Sequence, residues 1–549
     1  MSKSKLELCH HILKEYHGEL IAKVGFYLLK KAKGSSPLRQ ISLDTSLDVA
    51  KVQKALCVLI QHGLVAFQKS NKSFMEYSIN IDKIMNHLRY SRYIHCAKVL
   101  YGDGAELLVE EILHAGQTDM ATVVKKVTDR LNDALETAGH PKISSSLVRD
   151  KFNSLVQTHF LQRCFSPVLD DKKRVIRLEQ PENVEELFSV QPMEVDGGNQ
   201  GQKRKLTLDS DLPNKRFKTE STSKEASPGD SIFWQVNCER FHHHFRDQAL
   251  ISAVARRLDK KAGEIMRAIL RISEVKTDPL AKQTVPVSFT EIFGSLQKEL
   301  GFTRNLLEQY LHNMTDEVPE FVSKCDDSGG GMYVVNIFQA LQALCKAHIE
   351  SVVLERFGSK SLRIFRVILL KKQVEQSQIE TCAMIPSKEA KELLYKMFEE
   401  GFVTITELAK TPDHAPSRTF YLFTVDIRQV ARMLKEKCFK AIRNAIVKRN
   451  LEIMEHKRLL DKQERVDAII ADLEQQLQSG LEVDPAQKEE VQEVITPPER
   501  QQLTKVHTVT NTLEMSELQV DETLFILESY LAFTYHRPAP KKQQSAILI

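Results

Sequence analysis

The chain has 549 residues, a length that predicts several domains rather than one core. Apolar residues make up 42% of it and charged residues 27%, which are ordinary values for a globular protein. Lys and Arg number 77 against 73 Asp and Glu, and this net charge of +4 is too small to identify a nucleic-acid-binding protein by charge alone.

Cysteine usage and hydropathy exclude several classes of protein. The sequence has nine scattered cysteines: Cys9, Cys57, Cys96, Cys164, Cys238, Cys325, Cys345, Cys382 and Cys438. No two of them form a CxxC pair, which argues against a zinc ribbon, a protein-ligated iron–sulfur cluster or a disulfide framework. Reduced thiols of a cytosolic or nuclear protein are expected. No apolar run reaches the roughly 18 residues of a bilayer span, and the first residues turn polar at once, so no secretory leader is expected.

A pattern recurs along the chain: an amphipathic helix, then His or Gly, then a short apolar strand. Its copies are KALCVLIQHGLVAF, VRDKFNSLVQTHFLQRC, KELLYKMFEEGFVTI and, more loosely, NLLEQYLHNMTDEVPEFVSK. Another helix and a turn precede each copy, and a polar turn and a second strand follow it. This order of elements predicts a winged helix. The second helix should end in the left-handed conformation at Gly63, His159 and Gly401, and Asp327–Gly331 should form a tight wing tip.

The chain also contains two linkers and a heptad region. From 179 to 230, and again from Ser479, apolar periodicity is lost, which predicts disordered linkers. Heptad-like spacing relates Ile446, Ile453, Leu460, Val466, Ile470, Leu473 and Leu477, and then Val520, Leu524, Leu527 and Leu531. Because these segments flank the second linker, we expect them to form an antiparallel helical hairpin.

The expected fold is mostly α with small β-hairpins (α+β), built from four tandem winged-helix modules and a C-terminal coiled-coil hairpin. The predicted bounds are 1–90 and 91–180 for the first two modules, 181–230 for the linker, 231–337 and 338–427 for the other modules, and 428–536 for the coiled coil, interrupted near 479–511.

Basic side chains on the second helices and wings are the candidates for DNA contact. They are Lys51, Lys54, Lys69 and Lys72 in the first module, Arg149, Lys151, Lys172, Lys173 and Arg174 in the second, and Lys388, Lys391 and Arg418 in the fourth. No module shows the Arg/Asn/Gln face that reads base edges, and acidic residues interrupt every patch. We therefore expect weak, sequence-independent contact with the backbone, with solvated helix faces as the alternative.

Two short basic clusters lie in the first linker. Their residues are Lys203, Arg204, Lys205, Lys215, Arg216 and Lys218. Basic clusters separated by a polar spacer are typical of a nuclear-import signal, which we favour over accidental linker charge.

Catalytic and metal-binding patterns are not evident. His242, His243 and His244 are consecutive, so on a helix they point about 100° apart and cannot converge on one ion. A core stripe that includes Phe241, His244 and Phe245 is the better interpretation. The sequence has no GxxxxGK[ST], GxGxxG, GxSxG or HExxH motif. Neither an enzyme in its own right nor a metal site nor a cofactor is expected.

Several long strings show a resemblance to a known family. They are KALCVLIQHGLV, WQVNCERFHHHFRDQALISAVARR, DDSGGGMYVVN, AMIPSKEAKELLYKMFEEGFVTITELAKTPDHAPSRTFYLFTV, ERQQL and LQVDETLFILESY. Through them the chain resembles the third subunit of eukaryotic RNA polymerase III. The resemblance spans most of the chain and leaves out the linker at 179–230.

This resemblance implies extended winged-helix modules in a non-catalytic subunit, similar to the large subunit of transcription factor E of RNA polymerase II. It implies a heterotrimer with two other specific subunits at the polymerase clamp, which supports promoter recruitment, DNA opening and initiation together with initiation factors. It also implies binding to single-stranded DNA, a nuclear location and, for the whole enzyme, sensing of foreign AT-rich DNA in the cytosol in innate antiviral defence. An iron–sulfur cluster would belong to a partner.

The alternative is a free-standing winged-helix regulator that binds duplex DNA. Such a regulator needs a strongly basic recognition helix and usually a dimeric seam. Here the helices are mixed in charge and the heptads can pair within one chain.

Overall fold

The computed structural model describes residues 2–31, 35–69, 74–137, 139–169, 175–179, 184–189, 232–278, 280–409, 419–478, 490–491 and 493–535. The helices are α1 (Lys3–His17), α2 (Glu19–Lys30), α3 (Leu38–Thr45), α4 (Val49–Gln61), α5 (Ile81–Met85), α6 (Tyr90–Tyr101), α7 (Asp103–Ala115), α8 (Met120–Thr137), α9 (Ser145–Gln157), α10 (Cys238–Arg257), α11 (Lys260–Ser273), α12 (Phe289–Leu300), α13 (Arg304–Asp316), α14 (Ile337–Lys371), α15 (Gln376–Ala383), α16 (Ser387–Glu399), α17 (Ile427–Glu455), α18 (Lys457–Gln478) and α19 (Pro497–Tyr535). The strands are β1 (Ser36–Pro37), β2 (Val65–Lys69), β3 (Met75–Ile79), β4 (Thr118–Asp119), β5 (Leu161–Arg163), β6 (Ser166–Leu169), β7 (Val175–Glu179), β8 (Phe233–Val236), β9 (Val287–Ser288), β10 (Val322–Asp326), β11 (Met332–Val335), β12 (Gln373–Val374), β13 (Thr404–Ala409) and β14 (Thr419–Thr424).

Helices dominate these elements, and the strands pair antiparallel in small sheets. The predicted α+β class is therefore confirmed. The chain divides into two compact units: a smaller one of Lys31–Asn86 and Tyr90–Phe241, and a larger one of Met1–Lys30, His87–Arg89 and His242–Ile549.

In the smaller unit, the first module is a helix-turn-helix with a three-stranded sheet. Helix α4 buries one face through Leu56 and Leu59, which are three residues apart and almost fully inaccessible. Strands β2 and β3 form the wing hairpin, and β1 pairs with β3 on its other side, in the order β1-β3-β2.

The second module of the smaller unit differs from the expected one. Its sheet has the order β4-β8-β5, so the partner of β5 is β8, which comes after the first linker. The segment expected to supply that strand instead forms a separate hairpin, β6–β7. The cause is Trp234 on β8, which is 3% exposed and contacts the buried Phe152 ring edge-on at 5.4 Å. The sheet of this module therefore extends beyond the boundary expected at 231.

Each second helix in three modules ends in the left-handed conformation that the repeat predicted. The φ angles are 65° at Gly63, 66° at His159 and 79° at Gly401. After each of these residues the chain turns directly into the first wing strand. Glycine adopts this conformation without steric cost, whereas His159 adopts it against a cost of roughly 1 kcal/mol.

In the larger unit, the third module has the sheet order β9-β11-β10 and the fourth has β12-β14-β13. The wing tip of the third module has φ angles of 88° at Gly330 and 114° at Gly331. A Cβ atom on Gly331 would lie 3.1 Å from the Tyr333 side chain. The positive φ angles predicted for this turn are confirmed.

Helix α14 links the cores of the third and fourth modules. It breaks at Gly358, whose φ of 83° is not helical. Beyond the break, Ile364, Phe365 and Ile368 are fully buried in the core of the fourth module. These side chains are therefore core residues of that module.

Helices α17, α18 and α19 form the predicted antiparallel hairpin. Lys435 pairs with Glu528 at 3.2 Å, Arg449 with Glu517 at 3.2 Å, and Lys462 with Glu499 at 2.7 Å. As the residue numbers rise along α17 and α18, the numbers of their partners on α19 fall, so the two arms of the hairpin are antiparallel. Of the heptad positions, Ile446, Val466, Leu524, Leu527 and Leu531 are buried, and Leu527 and Leu531 also belong to the core of the fourth module.

The hairpin α1–α2 packs in the larger unit against α17, although the sequence placed it with the first module. Leu8, Ile12 and Leu13 of α1 are buried, and Glu15 pairs with Arg449 at 2.8 Å. An apolar face on a short helix gives no information about which distant helix will cover it, so the sequence could not identify α17.

Helix α19 begins at Pro497, inside the linker expected near 479–511. The side chain of Glu499 accepts hydrogen bonds from the Thr496 N–H at 2.9 Å and from the Thr496 hydroxyl at 3.0 Å. Proline in the first turn and a glutamate at the third position are typical helix starts. In the described part of the chain, no helix is long and apolar enough to cross a membrane.

Candidate nucleic-acid interface

In the first module the predicted lysines lie on the exposed side of the second helix and on the wing. Lys51 and Lys54, three residues apart on α4, are both exposed and share one face. Lys69, at the end of β2, is also exposed. Within the described residues, neither Lys51 nor Lys54 makes a salt bridge. Lys72 lies outside the described residues.

The turn before α4, residues 46–48, contains no basic residue, and apolar side chains are exposed in the helices on either side of it. Leu43 is 79% exposed and Val49, the first residue of α4, is 41% exposed. A helix-turn-helix that docks in a groove of DNA places this turn close to the phosphates. The basic residues of the first module are therefore suited to a limited contact with a phosphate backbone and not to a groove-filling one.

In the second module, Arg149 is exposed on α9 and Lys151 is half-buried. The two are two residues apart on a helix, so they do not share a face. Arg149 lines a groove of about 260 Å³ together with Lys125 and Asp129 of α8. The wing residues Lys172, Lys173 and Arg174 lie outside the described residues.

In the fourth module, Lys388 and Lys391 are exposed on α16, but carboxylates share the same helix. Lys396 pairs with Glu392 at 2.8 Å, and this hydrogen bond lowers the pKa of the Glu392 carboxyl. Glu389 pairs with Lys360 at 2.6 Å. This helix is close to neutral and cannot supply a basic face. Arg418 lies outside the described residues.

The candidates that the structure describes therefore form separate small groups, and among them only Lys51 with Lys54 and Lys388 with Lys391 share a helix face. Lysine offers a point charge on a flexible stem, whereas base reading in the major groove uses planar, two-pronged side chains. Such groups can neutralise a few phosphates without reading sequence.

Four family models match different parts of this chain. They are the RNA polymerase III subunit RPC82 helix-turn-helix domain at residues 7–70, RNA polymerase III subunit RPC82 at 150–344, the POLR3C C-terminal winged-helix domain at 349–425, and the helical hairpin domain of DNA-directed RNA polymerase III subunit RPC3 at 458–526.

Curated relatives match the chain over nearly its whole length. DNA-directed RNA polymerase III subunit RPC3 of Homo sapiens is 45% identical over 548 residues, covering 98% of this chain and 100% of the relative. The protein of the same name from Bos taurus is 46% identical with the same coverage, and that from Danio rerio is 43% identical over 97% of this chain and 99% of the relative. The chain belongs to the RPC3 family of RNA polymerase III subunits. The resemblance found in the sequence is thereby confirmed, as is the fold of winged-helix modules with a C-terminal helical hairpin.

In this RPC3-family chain, sequence reasoning missed an exposed apolar surface on the fourth module. On α16, Tyr395 is 48% exposed and Phe398 is 43% exposed. On the wing, Leu408 is 57% exposed and Phe420 is 37% exposed. The sequence contained one indication of this surface. Leu394 and Met397 mark the buried face of α16, and Tyr395 and Phe398 lie outside that face.

The histidine run of the RPC3-family chain packs against aromatic rings. In the larger unit, His242 and Phe245 lie 5.6 Å and 6.2 Å from the Phe525 ring centroid. In the smaller unit, Phe241 is fully buried and packs on Phe160 at 4.7 Å. Among the described residues, the group with metal-ligand spacing is Glu452, Glu455 and His456, an acidic cluster at the end of α17.

Five of the cysteines show no sign of activation in the described structure. Burial raises the pKa of Cys96, Cys164 and Cys345 to about 12, and that of Cys238 and Cys438 to about 11. A nucleophilic or metal-binding thiol requires a lowered pKa. These five side chains therefore behave as small apolar groups.

Proposed function

We propose that this chain is a non-catalytic, specific subunit of DNA-directed RNA polymerase III. The observation that carries the proposal is identity of 43–46% with proteins named as subunit RPC3, over essentially the full length of both chains. The chemistry of the described residues agrees, because burial keeps five of the thiols protonated and helix α16 of the fourth module is close to neutral. The chain acts through binding surfaces within the polymerase, and the partners carry the nucleotidyl transfer.

Within the enzyme, the chain joins two other polymerase III-specific subunits in a heterotrimer on the clamp. There it supports promoter recruitment, DNA opening and the initiation of small-RNA transcription with the initiation factors. The family resemblance is the source of this proposal. The exposed apolar side chains of the first and fourth modules support it, since such surfaces normally lie under a partner.

Its contact with DNA is weak, independent of sequence and stronger for single strands than for duplex. Lys51 and Lys54 support this part, because two point charges on an otherwise mixed surface neutralise few phosphates. Opened strands present a flexible backbone that small basic groups can follow. On the basis of the sequence alone, the proposed DNA contact also includes the wing residues Lys172, Lys173 and Arg174.

The protein acts in the nucleus, to which the basic clusters of the first linker direct it. The assembled polymerase also detects foreign DNA in the cytosol in innate immunity. The family resemblance supports both statements, and the linker clusters, which lie outside the described residues, support the first.

Purification of the tagged full-length chain from nuclear extract tests the assignment. We expect the other polymerase III subunits in stoichiometric amounts, with two specific subunits remaining bound after the core enzyme is removed by high salt. Recovery of the chain alone, with tight binding to one duplex sequence, would instead establish a free-standing winged-helix regulator.

A further inference from the structure

The wing of the fourth module, formed by β13 and β14, has an open edge. The sheet order β12-β14-β13 places β13 at the edge, and no other strand in the described part of the chain pairs with it. Every second residue of such an edge strand points its N–H and C=O groups away from the sheet. The six-residue strand Thr404–Ala409 thus offers a template for one more strand.

The outer face of this wing is also uncharged. Leu408 lies directly opposite Phe420, and Thr406 lies opposite Leu422. Phe423 is 3% exposed in the core of the module, so strand alternation places Phe420 and Leu422 on the opposite, outer face. That face consists of Thr404, Thr406, Leu408, Phe420, Leu422 and Thr424. The solvated face of an antiparallel sheet is usually polar.

The wing of the first module provides a comparison within the same chain. Its outer pairs are Ala66 with Ser78 and Gln68 with Glu76, so its outer face is polar. Its edge strand β2 lies against β7 of the neighbouring hairpin. The first wing, whose edge strand lies against β7, has a mostly polar outer face. The fourth wing instead has three large apolar side chains beside three threonines on its outer face, and no such neighbour among the described strands.

The charge of the fourth wing indicates which class of molecule covers it. No Lys or Arg occurs among the described residues of its outer face, and the charged residue within β13 is Glu407; Lys410 and Arg418, at the tip of the wing, lie outside the described residues. Single-stranded nucleic acid requires cations along its path beside any stacking platform. An edge strand with apolar side chains is instead the recognition surface for an extended polypeptide, in which backbone hydrogen bonds give affinity and alternate side chains give specificity.

We propose that the fourth wing binds an extended segment of a partner polypeptide, which adds as a strand beside β13 and places apolar side chains on Leu408 and Phe420. The proposal rests on the proposed function in that the partner is a subunit of the same polymerase. It identifies the surface at which that subunit is held.

Site-specific photo-crosslinking in the assembled enzyme tests the contact. A benzoylphenylalanine probe replaces Leu408 in the tagged full-length chain, and the matched control carries it at Ala66 on the polar outer face of the first wing. We expect position 408 to crosslink to one stoichiometric polypeptide subunit and position 66 not to reach that subunit. A polymerase recovered intact with a crosslink from 408 only to nucleic acid, or to nothing, would overturn the proposal and leave the proposed function standing.

A charge substitution supplies the second readout. Leu408→Lys should reduce retention of the crosslinked subunit about tenfold, since an ammonium group cannot be buried unpaired against apolar side chains. Ala66→Lys should leave retention unchanged, and both variants should melt like the parent because the substituted side chains are exposed. Unchanged retention together with tighter binding of single-stranded DNA by Leu408→Lys would assign the surface to nucleic acid. Absence of any polymerase subunit from the parent purification would instead reject the proposed function.

Discussion

Arg89 and Asp521, which are 432 residues apart in the sequence, form a buried ion pair in the larger unit. The Arg89 Nε donates to both carboxylate oxygens of Asp521 at 3.1 Å, and the residues are only 4% and 1% exposed. A second carboxylate, that of Glu528, accepts from Arg89 Nη2 at 3.1 Å. The pair fastens the segment His87–Arg89 to α19, so this point of the fold depends on a charge that has no access to water.

Replacement of Asp521 by Ala should destabilise the larger unit by about 3 kcal/mol, because a buried guanidinium loses a partner while its desolvation cost remains. Chemical denaturation followed by circular dichroism measures the change. The matched control is Glu392→Ala, which removes one side of the exposed Lys396 pair and should have no measurable effect. Equal midpoints for the two variants would contradict a structural role of the buried pair.

The local features of the fold could be predicted from the sequence because they depend on residues close together in the chain. The spacing of Leu56 and Leu59 determines which face of α4 is buried and therefore that Lys51 and Lys54 are exposed. The left-handed ends at Gly63 and Gly401 follow from the chain turning from helix into strand.

Features that join distant segments could not be predicted in this way. Strand β8 completes the second sheet from beyond a long linker, and the Arg89–Asp521 pair joins opposite ends of the sequence. The spacing of hydrophobic residues along a helix or strand shows which of its faces is buried, but not which other element covers that face. The exposed apolar side chains of the fourth wing were missed for a related reason. Leu408 and Phe420 lie side by side because of the register between β13 and β14, which the sequence does not show.

The carboxyl of Glu517 should make stability depend on pH. It lies beside Arg449 at 3.2 Å with Glu15 and Glu514 around the same guanidinium, and burial raises its pKa to about 7. Between the ordinary pKa of 4.5 and the raised pKa of about 7, the folded state therefore holds a proton on this carboxyl that the unfolded state has released. This contribution to stability is fully present below the unfolded pKa and is lost as the pH rises through about 7.

Glu517→Gln should flatten the fall of the unfolding midpoint between about pH 5 and pH 8, because the group that gains and loses the proton is removed. Denaturation curves at several pH values on the parent and the variant provide the measurement. Glu392→Gln, at an exposed carboxyl whose pKa is lowered, should leave the slope of the parent unchanged. Parallel curves for the parent and Glu517→Gln would show that this carboxyl does not titrate in the range.

Removal of the linker charges should reduce nuclear import. The change replaces Lys203, Arg204, Lys205, Lys215, Arg216 and Lys218 with Ala. Fluorescence of the isolated tagged chain, under conditions in which import bound to partners is blocked, should shift toward the cytosol. Restoration of the nuclear signal by an unrelated import sequence provides the control. An unchanged nuclear signal in the substituted chain would reject the assignment.

Charge reversal at Lys51 and Lys54 should weaken DNA binding without altering the fold, since both side chains are exposed. For each phosphate that the variant no longer neutralises, the log–log salt slope of single-strand binding should become shallower by about 0.7, and affinity at low salt should fall about tenfold. Fluorescence anisotropy with a single strand, a bubble and a duplex measures both quantities. The control variant reverses Lys440 and Lys448, exposed lysines of α17 outside the proposed interface, and should bind like the parent.

In the assembled polymerase, the Lys51 and Lys54 variant should open promoters more slowly and elongate normally on a pre-melted template. Equal reductions in affinity for both variants would mean that overall charge, and not the first module, attracts the DNA.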